Sequence, residues 1–368
     1  MKTNAQLKDT YDEAYITRVA RAVECGLRGF NPANFVSAVF AGDWSELELK
    51  ARMARIAEVL DEMLPNELEA ALGTLSSAVP QFEGYHAMFF PAFVELRTAR
   101  DFSGTWESSV RALAEFTEHS SSEFAVRPMI IEDQPRMLAE MLRWTTDENY
   151  HIRRLASEGC RPRLPWAMSL PALKRDPLPI IPILEALRSD DSEYVRRSVA
   201  NNLNDISKDH PVLVLEIATR WLAEAAQSTT RRRLVKHACR TLLKAGEPAA
   251  MRLFGFRNPA KINVAALELS GETISFGGEL EFSFRLESAE ALGKVRLEYA
   301  VHYQKANGTL SPKVFKISEF DTEDTSRDIS RRHAFRELST RRHHPGLHMI
   351  AVIINGVEKA RVDFTLVS

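Results

Sequence analysis

Apolar and polar positions recur with two different periods along this 368-residue chain, and the change of period divides it. Up to about residue 257 the apolar side chains return every three or four positions, which predicts amphipathic helices. In "ELELKARMARIAEVLDEML", Leu47, Met53, Ile56, Leu60 and Met63 hold helical spacing, with Asp43 or Ser45 expected as the N-cap. In "EYVRRSVANNLNDISKDHP", Val195, Val199, Leu203 and Ile206 form the stripe expected to be buried, and Asp209-His210-Pro211 ends the element. After "FGFRNPAKINV" the period falls to two. Leu280, Phe282, Phe284 and Leu286 alternate with polar residues in "ELEFSFRLES", and "VRLEYAVHY" alternates likewise. The turn pairs Asn307-Gly308 and Asn355-Gly356 punctuate these strands. The expected organisation is therefore an all-α region over residues 1–257, followed by an immunoglobulin-like β-sandwich over 258–368.

The helical region repeats. "WTTDENYHIRRLASEG" aligns without a gap on "LRSDDSEYVRRSVANN", so that Arg153-Arg154 falls on Arg196-Arg197 with an offset of 43 residues. A looser copy, "QSTTRRRLVKHACRTLL", brings Arg232-Arg233 to the same phase. That offset lies within the roughly 40–47 residues of HEAT and armadillo helix pairs, and it predicts a HEAT-like α-solenoid.

Charge sharpens this picture. Residues 1–150 hold 24 acidic against 14 basic side chains, residues 151–257 hold 19 basic against 11 acidic, and residues 258–368 hold 15 of each. A basic middle suggests a surface for a polyanion, although solvated helix faces produce the same bias. At 45% hydrophobic content there is material for two or three packed cores, and no window supplies the roughly 20 apolar residues of a membrane span. The N-terminus lacks an apolar signal core, which points to the cytoplasm. Cys25, Cys160 and Cys239 have neither metal nor redox spacing and read as ordinary thiols.

The candidate chemistry lies in the repeats. Arg197, Asn201 and Asp205 fall at i, i+4 and i+8 along one helical line, and Arg154 and Glu158 make the corresponding line in the preceding copy. Such spacing also suits ordinary surface ion pairs. Its recurrence with Arg-Arg at a fixed phase suits guanidiniums gripping successive phosphates. Between the two helices, five prolines in "CRPRLPWAMSLPALKRDPLP" forbid a regular helix across much of the segment and hold Trp166 on a stiff stretch flanked by Arg161 and Arg163. That tryptophan either caps the core or stacks on a base.

The segments "FVSAVFAGDWSELELKARMARIAEVL", "SSEFAVRPMI", "HIRRLASEGCRPRLPWA" and "YVRRSVANNLNDISKDHP" resemble the AlkC branch of the AlkC/AlkD-like DNA glycosylases. "RRHHPGLHMI" resembles the immunoglobulin-like domain that some members carry. The resemblance implies a HEAT-like solenoid that excises cationic 3-methyladenine and 3-methylcytosine from duplex DNA without flipping the base into a pocket. Its catalytic positions fall on Glu158, Trp166 and Asp205, with Arg154 and Arg197 at phosphate-holding positions. Arg153, Arg196, Arg161, Arg163, Arg232 and Arg233 join them as expected DNA contacts. Glu123 is a weaker neighbour of the site and Trp144 a weaker one still. In the β-domain, "SRRHAFRELSTRRHHPG" offers Arg331, Arg332, Arg341, Arg342, His343 and His344, either as contacts to the other strand or as an ordinary hairpin. No metal, redox cofactor or obligate protein partner is implied, and a monomer is expected. The competing classes are a catalytically silent DNA-damage-binding protein and a protein-binding solenoid scaffold.

Overall fold

The structure is a computed structural model that describes residues 6–336 and 343–367. Among the described residues sixteen α-helices precede eight strands, the last helix ending at Leu253 and the first strand starting at Asn263. None of these helices is long and apolar enough to cross a membrane. The chain forms two compact units.

The first unit comprises residues 1–209 together with 227–238. The helix Leu49–Met63 begins later than the apolar spacing suggests, with Glu48 as its N-cap, while Trp44–Glu46 makes a separate 3-10 turn. Neither Asp43 nor Ser45 caps it. The backbone turns there because Trp44 is buried beneath Arg52, whose guanidinium carbon lies 5.0 Å from its ring centroid and whose Nε donates to the Leu47 carbonyl. In the helix Glu193–Ile206, Val195, Val199, Leu203 and Ile206 are all buried, as the stripe requires.

The repeated arginines have a local structural reason. Arg153 Nη1 donates to the carbonyls of Asp147 and Glu148, and Arg196 Nη1 donates to those of Asp190 and Asp191, 43 residues on. Arg153 also makes a two-pronged pair with Asp190 (2.6 and 3.1 Å). The first arginine of each pair thus reaches back and latches the turn that precedes its own helix. Gly159, the last residue of the helix Tyr150–Gly159, is there for a packing reason. A Cβ there would stand 2.6 Å from Val126 and 2.9 Å from Met141.

The second unit comprises residues 210–226 and 239–368. Its sandwich pairs a three-stranded sheet, β1 (Asn263–Leu269), β3 (Glu279–Glu287) and β6 (Ser326–Ala334), with a five-stranded one. In the latter the order is β2 (Thr273–Ser275), β8 (Val357–Val367), β7 (Gly346–Ile354), β4 (Gly293–Gln304) and β5 (Leu310–Thr322), with β2 parallel to β8. Leu280, Phe282, Phe284 and Leu286 point inward from β3 and meet Val295, Leu297, Ile350 and Phe364. The residues before β1 are tied to this sandwich. Lys294 Nζ donates to the Phe254 carbonyl (2.7 Å), the Arg257 amide donates to the Lys294 carbonyl (2.9 Å), and Asn355 Nδ2 donates to the Arg257 carbonyl (2.7 Å). Gly246 and Gly356, both at positive φ, face each other so closely that a Cβ on either would overlap the other's backbone.

Candidate active site

Two helices and the loop between them carry the site. Tyr150–Gly159 starts from Asn149, whose side chain accepts from the His151 amide, and it buries Ile152, Leu155 and Ala156. Glu158 sits in its last turn. Asp205 sits in the last turn of Glu193–Ile206, and both acids are nearly inaccessible (4% and 2%).

One guanidinium joins them. Arg161 Nη1 lies 2.6 Å from Glu158 Oε1, and its Nε lies 2.9 Å from Asp205 Oδ2. The remaining oxygens are also held. Ser157 donates to the Ser198 hydroxyl (2.7 Å), which donates to Glu158 Oε2 (2.6 Å), and Lys208 Nζ lies 3.0 Å from Asp205 Oδ1. Arg154 extends the chain of charges, 3.4 Å from Glu158 Oε1 and 2.5 Å from Glu123 Oε2, with its guanidinium 5.0 Å from the Tyr194 ring centroid. Glu123, Glu158 and Asp205 are thereby matched by Arg154, Arg161 and Lys208. Burial alone would push the Glu158 carboxyl up, but Arg154, Arg161 and the Ser198 hydroxyl more than reverse it and leave it below its ordinary value. Glu158 therefore remains an anion at neutral pH.

Trp166 stands beside this network in a strained conformation. Its φ is +63°, unusual for a bulky aromatic, and its side chain is 59% exposed. Lys50 Nζ holds its carbonyl (3.0 Å), and its ring meets Tyr85 edge-on at 5.7 Å. Burial pushes the Tyr85 hydroxyl up, and the nearby Glu123 and Glu158 add to it, which places the tryptophan's neighbour within the electrostatic reach of the acids. Holding such a backbone costs about 1–3 kcal/mol and requires surroundings that over-determine it. Arg127 provides them. This fully buried guanidinium donates to the carbonyls of Gly159 (2.8 Å), Arg161 (2.9 Å) and Met168 (2.7 Å), clasping both ends of the loop. Among the described residues no carboxylate pairs with it, and burial lowers its pKa to about 10.

Residues 263–368 match the family model described as the C-terminal Ig-like domain of the uncharacterised protein YhaZ. The uncharacterized protein YhaZ of Bacillus subtilis (strain 168) is 44% identical over 361 residues, covering 98% of this chain and 99% of its own. The solved structure of the Pseudomonas fluorescens alkylpurine DNA glycosylase AlkC, bound to DNA containing an abasic site analog, superposes with a TM-score of 0.91. It is 35% identical, with 99% of this chain and 100% of the other covered. The chain belongs to the AlkC family of DNA glycosylases.

Within this AlkC-family chain the remaining expected residues have different surroundings. Arg154, expected on a phosphate, and Arg161, expected as a DNA contact, lie among the acids, and Glu123 joins them through Arg154. Arg153 and Arg196 are taken up by their turns, while Arg163 makes a two-pronged pair with Asp209. Arg197, Arg232 and Arg233 remain exposed. Arg197 and Arg233 line a cleft of about 370 Å³ with Thr230 and His237, and His237 Nε2 lies 2.9 Å from Asn201 Oδ1. Asn201 occupies the phase of Glu158 in its copy, so the two repeats do not carry equivalent acids. Trp144 is a core residue. In the β-domain Arg331 donates to the Ile317 carbonyl, Arg332 pairs with Glu281, and His343 Nε2 lies 3.1 Å from the Arg336 carbonyl. Arg341 and Arg342 lie outside the described residues.

Among the described residues no three His, Cys, Asp or Glu side chains are grouped to hold a metal. Ser198, Lys208, Tyr85, Tyr194 and Arg127 were missed by sequence reasoning. Arg127 lies in "SSEFAVRPMI", and Tyr194, Ser198 and Lys208 lie in "YVRRSVANNLNDISKDHP", whereas Tyr85 falls in none of the family-like blocks. The Cys160 thiol beneath the site is pushed up to about 12 by burial, which makes it a packing group.

Proposed function

We propose that this chain is a monofunctional DNA glycosylase, acting as a monomer, that hydrolyses the N-glycosidic bond of cationic N3-alkylated bases, 3-methyladenine and 3-methylcytosine, in duplex DNA without flipping them out. The observation that carries this is the buried Glu158–Arg161–Asp205 bridge beside an exposed, strained Trp166. An alkylated base of this type already bears positive charge, so it leaves without general-acid protonation. The step conserves charge: the cationic nucleotide and water yield the neutral base, the abasic sugar and a proton. What the protein must supply is negative charge beside the oxocarbenium-like sugar and a base for the water, in the manner of inverting glycosidases.

Asp205 is suited to that role once Lys208 leaves it. Arg161 is fixed by burial, whereas the Lys208 side chain is 39% exposed on a flexible stem. A DNA phosphate arriving at the surface competes for that ammonium and frees Asp205 Oδ1 for the water. Glu158 keeps the sugar's surroundings negative, and the electron-rich face of Trp166 contacts the sugar or base. Arg197 and Arg233 hold the backbone.

Base-release analysis on methylated duplex DNA tests this. The expected products are free 3-methyladenine and 3-methylcytosine, and Asp205→Asn removes most of the rate while leaving DNA affinity largely intact. Salt-dependent DNA binding without release of any base would instead support a silent damage-binding protein, whose acids serve only to pair the arginines. Absence of DNA binding would support a protein scaffold.

A further inference from the structure

The first unit contains a second feature that the catalytic network does not use. A cavity of about 350 Å³ lies between the helices Leu49–Met63 and Phe89–Arg100, walled by Met53, Met88, Phe124 and Met168. Its size falls in the roughly 300–1,000 Å³ range of small-molecule sites. Two carboxyl groups line the cavity: Glu58, exposed at the rim and paired with Arg55 (3.8 Å), and the half-buried Glu95, which makes no hydrogen bond or ion pair with any described residue. A half-buried acid without a partner is costly unless something else meets it. Burial pushes the Glu95 carboxyl above its ordinary value, with Lys50 pulling the other way.

The cavity is continuous with the catalytic network. Ser121, on its wall, donates to Glu123 Oε2 (2.9 Å) and accepts from Arg154 Nη1 (2.9 Å). Ala167 and Met168, the two residues after Trp166, form another part of the wall. At the rim, Lys50 holds the Trp166 carbonyl with its ammonium 5.2 Å from the Phe124 ring centroid.

We propose that this cavity binds the free alkylated nucleobase after its release, a planar amidine-bearing heterocycle of the 3-methyladenine class, with Glu95 paired to its amidine edge. This rests on the glycosylase function proposed above. Three thioethers and a phenyl ring suit a flat polarizable body. A carboxyl group complements an amidine in either protonation state. Ionised, it accepts from the two adjacent N–H groups of the cation; protonated, it donates to the ring nitrogen and accepts from the exocyclic amino group of the neutral base. Duplex DNA does not fit such an enclosure, so the site takes product rather than substrate.

The test is direct binding of 3-methyladenine to the full-length protein by titration calorimetry, with a purine lacking the exocyclic amino group as control. The expected result is saturable binding of 3-methyladenine that the control does not show. Glu95→Ala weakens it by at least about tenfold, as loss of a hydrogen bond to a charged group predicts. Ala54→Trp, on the exposed rim of the cavity wall, abolishes it by filling the space. No saturable binding, or binding unchanged in both variants, overturns the site. Base release from DNA without binding would overturn the site and leave the reaction standing. Binding without base release would leave the site and overturn the reaction.

Discussion

Replacing Arg161 with methionine keeps an apolar stem close in length to the aliphatic part of arginine and removes the charge from between two buried carboxylates. Removing one partner of a buried pair costs about 3–5 kcal/mol, because the other charge stays in a medium that solvates it poorly. Arg161 has two such partners, yet the loss should not double. Glu158 retains the Ser198 hydroxyl and Arg154, and Asp205 retains Lys208. We therefore expect Arg161→Met to lose about 3–5 kcal/mol of local stability at pH 7. The sign of its pH dependence follows from Glu158. A carboxyl held below its ordinary value in the folded protein contributes stability above its unfolded value of about 4.3, and that contribution is lost as pH falls through the folded value. The variant lacks much of that contribution, so its deficit should be greatest near neutrality and shrink below about pH 5. Amide hydrogen exchange of peptides spanning residues 150–168, compared at pH-corrected intrinsic rates, reads this locally. Arg161→Lys, which retains charge but reaches one carboxylate at a time, should recover part of the loss. A deficit under about 1 kcal/mol at pH 7, or one that stays constant down to pH 4, would show that the bridge does not hold the site together.

The Ser198→Ala variant deprives Glu158 of one hydrogen bond to its charged form, so the acid limb of the base-release profile should move to higher pH while the neutral rate changes little; an unmoved limb would exclude Glu158 as an essential anion. Trp166→Gly relieves the positive φ but removes the indole, whereas Trp166→Phe keeps a ring at the strained position. Base release should therefore fall far more in Trp166→Gly although the glycine variant is the more stable to heat, and equal rates would refute a contact role for the ring. Arg127→Met should release both ends of the 160–168 loop, raising acrylamide quenching of Trp166 fluorescence and lowering kcat more than DNA affinity.

Much of this was legible in the sequence wherever periodicity decides the outcome. The stripe of Glu193–Ile206 and the alternation of β3 follow from burying one face. The recurrence of Arg-Arg and the family-specific blocks marked Glu158, Trp166 and Asp205. What periodicity fixes is the phase of a residue around its own helix, not the reach of its side chain. Arg153 and Arg196 share the phase of a candidate phosphate contact, yet five and six residues back their own turns offer unpaired carbonyls that a guanidinium satisfies. Arg161 and Asp205 are 44 residues apart, so nothing local showed that the loop arginine belongs to the acids rather than to DNA. Sign was readable, partners were not. The N-cap at Glu48 was missed for a similar reason, since burial of Trp44 under Arg52 overrides the capping preference of Asp43.

The hydrogen bonds that fasten residues 254–257 to β4 and to the Asn355-Gly356 turn decide where the β-sandwich can be cut from the chain. A fragment starting at residue 258 would strip Lys294 of the Phe254 carbonyl and Asn355 of the Arg257 carbonyl, and it would leave the strip of sheet opposite Gly246 bare. Expression of the sandwich with its cover should begin near residue 210, so that the helix Pro211–Glu224 and the short helices Arg240–Ala245 and Pro248–Leu253 travel with it.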